Sequence, residues 1–149
     1  KDFVKGELAD RAFGLLGDQI VWKMVQAVAD APVLSTDGPQ AAGSKAHKVL
    51  KDLIDESAEE ISEKLRRHGA YVNIQAELYF RKDGSPADFP REKGSMGLDV
   101  LVVSSRNGKV LLGFDLKTGK TGTGKKKGED YMRRHGGAPF IDVFVKRTR

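Results

Sequence analysis

Two strongly apolar stretches, 98–104 and 109–117, meet at the turn signal Arg106-Asn107-Gly108. Runs this apolar read as strands of a sheet covered on both faces, and the short connection makes them a hairpin. The rest of the chain must then supply covering helices, so the sequence calls for an α/β fold. Three charges interrupt the hairpin: Asp99 in Gly97-Leu98-Asp99-Val100, and Asp115 and Lys117 in Gly113-Phe114-Asp115-Leu116-Lys117. Asp115 and Lys117 are two residues apart and share a face. A carboxylate among apolar neighbours is costly unless a partner or a metal compensates it.

The hairpin register decides whether Asp99 joins them. A two-residue Asn107-Gly108 turn would oppose Arg106 to Lys109 and send the two aspartates to opposite faces. A three-residue loop, with Gly108 left-handed as a bulge, opposes Ser105 to Lys109 and sets Asp99 directly across from Asp115. The second register is expected. Facing carboxylates repel, which points to a divalent cation between them.

Around this hairpin the periodicities place the other elements. Leu8, Ala12, Leu15, Leu16, Ile20, Met24 and Val28 recur at helical spacing, giving a helix over 5–29 that stops before Pro32. The stretch 36–43 is linker-like, and Ser44 is expected to cap a second helix reaching His68. Its apolar stripe is Leu50, Leu53, Ile54, Ile61 and Leu65, and His47 falls within that stripe one turn earlier. Over 71–80 the period becomes two, with Val72, Ile74, Ala76, Leu78 and Phe80 on one face and Asn73, Gln75, Glu77 and Tyr79 on the other. A short helix over 128–134, ended by Gly136-Gly137, and a strand over 140–145 complete the chain. The expected order is helix, helix, three-stranded meander, helix, strand, divided into an N-terminal helix and linker over 1–40 and a core over 41–149.

Composition removes several chemistries. The chain has no cysteine among its 149 residues, so disulfide, thiolate-zinc and cysteine-nucleophile readings fall together. No run approaches the roughly 18 apolar residues of a membrane span. The chain opens on Lys1 rather than Met, as a processed or excised piece of something longer would. Of its 26 basic and 21 acidic residues, 10 basic and only 3 acidic fall within 117–149, and that local excess suggests an anionic partner such as a nucleic-acid backbone. The segment 119–126 nearly spells a phosphate loop, but Lys126 stands where the Mg²⁺-holding hydroxyl is needed. The better reading is a flexible cationic loop. Lys120, Lys125, Lys126 and Lys127 would grip phosphates, with Arg133, Arg134, His135, Lys146, Arg147 and Arg149 extending the grip.

An acid on the second strand followed by Asp-x-Lys on the third resembles the PD-(D/E)XK nuclease superfamily, with its restriction-endonuclease-like core of helix, three strands, helix and strand. Gly43-Ser44-Lys45-Ala46-His47 resembles the Gly-x-x-x-His helix start of the RecB-type branch. The likeness covers residues from about 43 to 146. The later Gln-x-x-x-Tyr motif of that branch is matched only loosely, by Glu129-Asp130-Tyr131. Closer still are C-terminal toxin modules of Rhs-type and related polymorphic bacterial toxins. Those share a strand glutamate like Glu77, a stretch like Gly94-Ser95-Met96-Gly97-Leu98-Asp99, and Asp115-Leu116-Lys117-Thr118-Gly119.

The resemblance implies a phosphodiesterase using Mg²⁺ or Mn²⁺, held by Asp99, Asp115, the Leu116 carbonyl and His47. Lys117 would orient the attacking water and stabilise developing negative charge. Glu77 would be a ligand or water-positioning acid, where otherwise it would be a solvent-face residue paired with Arg81 or Lys82. The implied protein is a DNase toxin domain of a secreted effector, acting in the target-cell cytoplasm and neutralised by an immunity protein. The alternatives are a housekeeping DNA-repair or RNA-cleaving nuclease in the cytoplasm, and a catalytically silent nucleic-acid-binding domain.

Overall fold

The computed structural model describes residues 6–89, 92–119 and 122–146. Helix α1 spans Gly6–Asp30 and α2 spans Pro39–Arg67. Helix α2 starts earlier than expected because Gly38 takes the N-cap position and Pro39, whose φ suits a first helical residue, opens the helix. Ser44 is therefore an exposed residue inside the helix, and the division drawn at residue 40 falls within its first turn. Leu50, Ile54, Ile61 and Leu65 are fully buried, each stabilising the fold by about 1.5–3 kcal/mol. Leu16, Ile20, Met24, Ala27 and Val28 of α1 join them in one core cluster.

Strands β1 (Val72–Phe80), β2 (Met96–Ser104), β3 (Val110–Lys117) and β4 (Phe140–Phe144) form one sheet in that order, antiparallel except for β3 and β4. Helix α3 (Lys125–Arg134) connects β3 to β4. One face of the sheet packs Val72, Ile74, Val100, Val102, Leu112 and Phe114 into the cluster with α1 and α2. The other gathers Leu98, Leu101 and Val103 under Tyr131 of α3. The fold is α/β, with the sheet covered on both sides.

The hairpin reaches the expected pairing by another route. Ser104 donates its N–H to the Lys109 carbonyl at 2.8 Å, and the Gly108 N–H returns to Ser104 O at 2.9 Å, so the loop holds four residues rather than three. Gly108 is left-handed, as expected, at φ 73°. Val103 then pairs with Val110 but Val102 with Leu112, so Leu111 is an extra residue on β3 that shifts the register back by one. Val100 pairs with Phe114, which puts Asp99 and Asp115 opposite each other one step further along.

Strand β1 departs from its expected alternation. Ala76 packs with the α2-side cluster while Leu78 and Phe80 pack with the α3-side cluster, so the apolar side changes faces between them. Strand β2 changes faces at the same level, between Leu98 and Val100, with the register unshifted. Glu77, at that level, holds φ 50°, the only left-handed non-glycine residue among those described.

Candidate metal centre

The β2–β3 ladder ends just before the acids, and at that end the Leu116 N–H donates to Asp99 Oδ2 at 2.6 Å. Helix α2 brings His47 to the same opening. Its Nδ1 lies 2.6 Å from the Gly43 carbonyl, and its Nε2 lies 3.0 Å from the Leu116 carbonyl and 3.2 Å from Asp99 Oδ2. All three partners accept, so both ring nitrogens carry protons in this arrangement. Burial pulls the His47 pKa down, but the hydrogen bond and charge of Asp99 more than offset it, raising the value to about 9.

Asp115 is buried, 8% exposed, with its Oδ2 2.9 Å from Lys117 Nζ. Burial, then the adjacent Asp99 charge and a hydrogen bond between the two carboxyl groups, push its pKa up to about 6 against the opposing pull of Lys117. Two carboxyls close enough to share a proton are the environment a divalent cation would relieve. The sequence-predicted residues His47, Asp99, Asp115, Leu116 and Lys117 are thus brought together.

A hard octahedral ion with bonds of about 2.1 Å separates adjacent ligand atoms by about 3 Å. The spacings of His47 Nε2 to Leu116 O and to Asp99 Oδ2, 3.0 and 3.2 Å, fit one corner of such a shell. Nδ1 against Gly43 O is the backbone contact that typically fixes a ligating imidazole, and a cation would take the place of the Nε2 proton. Among the described residues no group of three or more His, Asp or Glu side chains is already gathered as a cage. Asp115 here engages Lys117, and one of the candidate donors is a main-chain carbonyl. The donors present fit the ion without forming a finished shell.

Glu77 lies level with Asp99, between the pairs Ala76–Val100 and Leu78–Leu98. It is half-buried rather than on the exposed polar face, and its charge is felt by Lys51, one turn beyond His47 on α2. Arg81 does not pair with it, binding Glu92 at 2.8 Å and Asp88 at 3.0 Å instead. A left-handed glutamate costs about 1–2 kcal/mol, and such strain is commonly stored at functional positions. Glu77→Gly is therefore expected to raise urea stability by up to about 1 kcal/mol while lowering activity. Lower stability would show that the left-handed turn carries no strain.

Other sequence-predicted residues divide. Lys125, Lys126 and Lys127 are exposed, but they form the first turn of α3 rather than a loop, because Gly124 caps that helix. With Arg133, and with the acids Glu129 and Asp130 among them, they line a groove of about 710 Å³. Arg134 is buried, not available to a ligand. Its Nη1 donates to the carbonyls of Phe80 (3.2 Å) and Gly94 (3.0 Å), and Nη2 pairs with Asp130 at 3.3 Å. His135 is likewise buried. Lys120, Arg147 and Arg149 lie outside the described residues.

The sequence reading missed Asp142, although a lone acid in Phe140-Ile141-Asp142-Val143-Phe144 carries the same signal as Asp99 and Asp115. It pairs in register with Asp115. Its carboxylate accepts the Thr123 N–H at 2.8 Å and the Thr123 hydroxyl at 2.9 Å, fastening the start of α3 beside the site. Tyr131 was also undervalued. Burial, then the charges of Asp115 and Asp99, push its phenol up to about 12.

Comparison with protein-family models, with curated proteins and with solved structures returns no significant match. Among the described residues no helix is long and apolar enough to cross a membrane.

Proposed function

We propose that this chain is a metal-dependent nuclease with a restriction-endonuclease-like core, acting on DNA. The observation that carries the reading is the convergence of His47 Nε2, Asp99 Oδ2 and the Leu116 carbonyl, with Asp115 and Lys117 beside them. His47, Asp99, Asp115 and Leu116 would hold Mg²⁺ or Mn²⁺, which supplies charge neutralisation of the phosphate and an acidified water. The imidazole in the set favours Mn²⁺. Lys117 Nζ, close to Asp115, places a positive charge where the phosphate gains negative charge. Glu77 is assigned to positioning water at the edge of the site.

Three lysines at the start of α3 support an anionic substrate. A helix N-terminus already carries a partial positive charge, and stacking cations there works against the fold at roughly 0.3–1 kcal/mol each. A phosphate strand in the groove would relieve that repulsion. The motif resemblance extends the proposal to a toxin module delivered into a target cell and held inactive by an immunity protein. The silent nucleic-acid binder is the second reading, favoured by the unfinished side-chain cage.

Plasmid DNA should be degraded with Mn²⁺ or Mg²⁺ and spared in EDTA or by Asp115→Ala. Equal binding with no cleavage under any divalent ion would leave only the silent binder, and preferential loss of RNA would replace DNA as substrate. Growth arrest on expression in bacteria, absent in Asp115→Ala, tests the toxin extension.

A further inference from the structure

A second concavity adjoins the metal centre. It has a volume of about 480 Å³ and lies between the end of α1, the 31–38 corner, the start of α2 and the turn after β3. We propose that it is a nucleotide subsite, receiving the sugar and base next to the phosphate at the acidic centre; this rests on the nuclease reading.

Position makes the connection. Gly43 lines the cavity, and its carbonyl also holds His47 Nδ1; Thr118 lines it too, directly after Lys117. The cavity and the metal centre therefore adjoin at Gly43 and at the end of β3. A Cβ on Gly43 would come within 3.0 Å of Thr118 Oγ1, so the α2 backbone and the β3–α3 turn are in close approach where the two spaces meet. A strand with its phosphate at Asp99 and Asp115 must place the neighbouring nucleoside nearby, and this cavity opens next to the centre across the Gly43–Thr118 contact.

The walls suit that occupant. Val28, Ala31, Val33 and Ala46 supply apolar surface for a sugar and base, and Lys146 supplies a cation for a flanking phosphate, while the carboxylate in the wall, Asp37, is engaged by Lys45. The volume lies within the range of small-ligand pockets. No aromatic ring lines it, so fit rests on shape rather than stacking, and purines and pyrimidines should be tolerated alike. The corner that forms its far side is fastened. Lys45 Nζ donates to the Pro32 carbonyl at 3.1 Å and pairs with Asp37 at 2.6 Å, and Asp37 also accepts the Leu34 N–H at 2.8 Å. The end of α1 and the corner, peripheral to the catalytic motifs, thereby acquire a task.

The test uses the full chain in EDTA with thymidine 5′-monophosphate or deoxyadenosine 5′-monophosphate at millimolar concentration, followed by methyl NMR. The expected result is saturable shifts at Val28, Val33 and Ala46 with both nucleotides. Ala42→Phe, which fills the cavity from a half-exposed helical position, should weaken binding at least tenfold and raise KM for DNA more than it lowers kcat. Lys146→Ala, at an exposed residue that does not endanger folding, should weaken binding several-fold. Methyl groups that stay still, or shifts unaffected by both variants, would overturn the subsite even if the same sample cleaves DNA. Shifts at these methyls in a chain that cleaves nothing with any divalent ion would support a nucleotide site while removing the nuclease reading.

Discussion

Asp99→Asn is expected to lower metal-dependent cleavage on the order of 10²–10³-fold and, in the same protein, to bring the His47 pKa down from about 9 toward or below its ordinary 6.5. The two effects have one origin. The Asp99 carboxylate is the proposed ligand, and its hydrogen bond and charge are also what raise the imidazole against the downward pull of burial. The amide keeps an oxygen able to accept the Leu116 N–H, so the β3 end should stay in place and thermal unfolding should remain cooperative. A plasmid assay reads the first effect and imidazole NMR through a pH titration the second. Full activity in this variant would remove Asp99 from the metal centre. An unchanged His47 pKa would mean that the 3.2 Å contact does not persist in solution.

How much of this centre the sequence contains differs residue by residue. The facing of Asp99 and Asp115 was legible because strand alternation leaves two outcomes, and a loop with left-handed Gly108 selects the one that sets the acids across from each other. The path to it was not, since the four-residue loop and the extra residue at Leu111 compensate each other, and local turn chemistry does not encode that cancellation. The face change in β1 was hidden for a similar reason. An uninterrupted period of two in 72–80 carries no sign that Glu77 turns left-handed. Arg134 was misread because its partners, the carbonyls of Phe80 and Gly94, lie 54 and 40 residues away in the chain. A basic run identifies cations, whereas burial sorts those that meet solvent from those that tie loops together. The lysines of 125–127 kept their exposure but changed element, because Gly124 at an N-cap outweighed the expectation of a glycine-rich loop.

The metal-free chain should lose stability as pH rises from about 6.5 to 9, by an amount on the order of 2–3 kcal/mol. His47 has a folded pKa of about 9 against 6.5 unfolded, so across this window the folded state holds a proton that the unfolded state has released. Its contribution is complete below 6.5 and disappears as pH passes through 9. Asp115, at about 6 against 3.8, adds a slope of the same sign between those two values. There it meets His135, whose pKa is lowered by burial and whose charging in the unfolded state favours unfolding as pH falls below 6.5. Only the alkaline window therefore isolates His47. A divalent ion in the proposed site must displace the His47 Nε2 proton, so its apparent affinity should rise by up to tenfold per pH unit for that proton until about pH 9. Saturating Mg²⁺ or Mn²⁺ should then cancel or reverse the downward slope, since the gain from binding grows as the proton competitor thins. Urea unfolding at steps from pH 6.5 to 9.5, in EDTA and with metal, measures both slopes, and His47→Gln should flatten the EDTA series. A metal increment independent of pH in the native chain would place the ion away from His47, and with it the attacking water and the scissile phosphate.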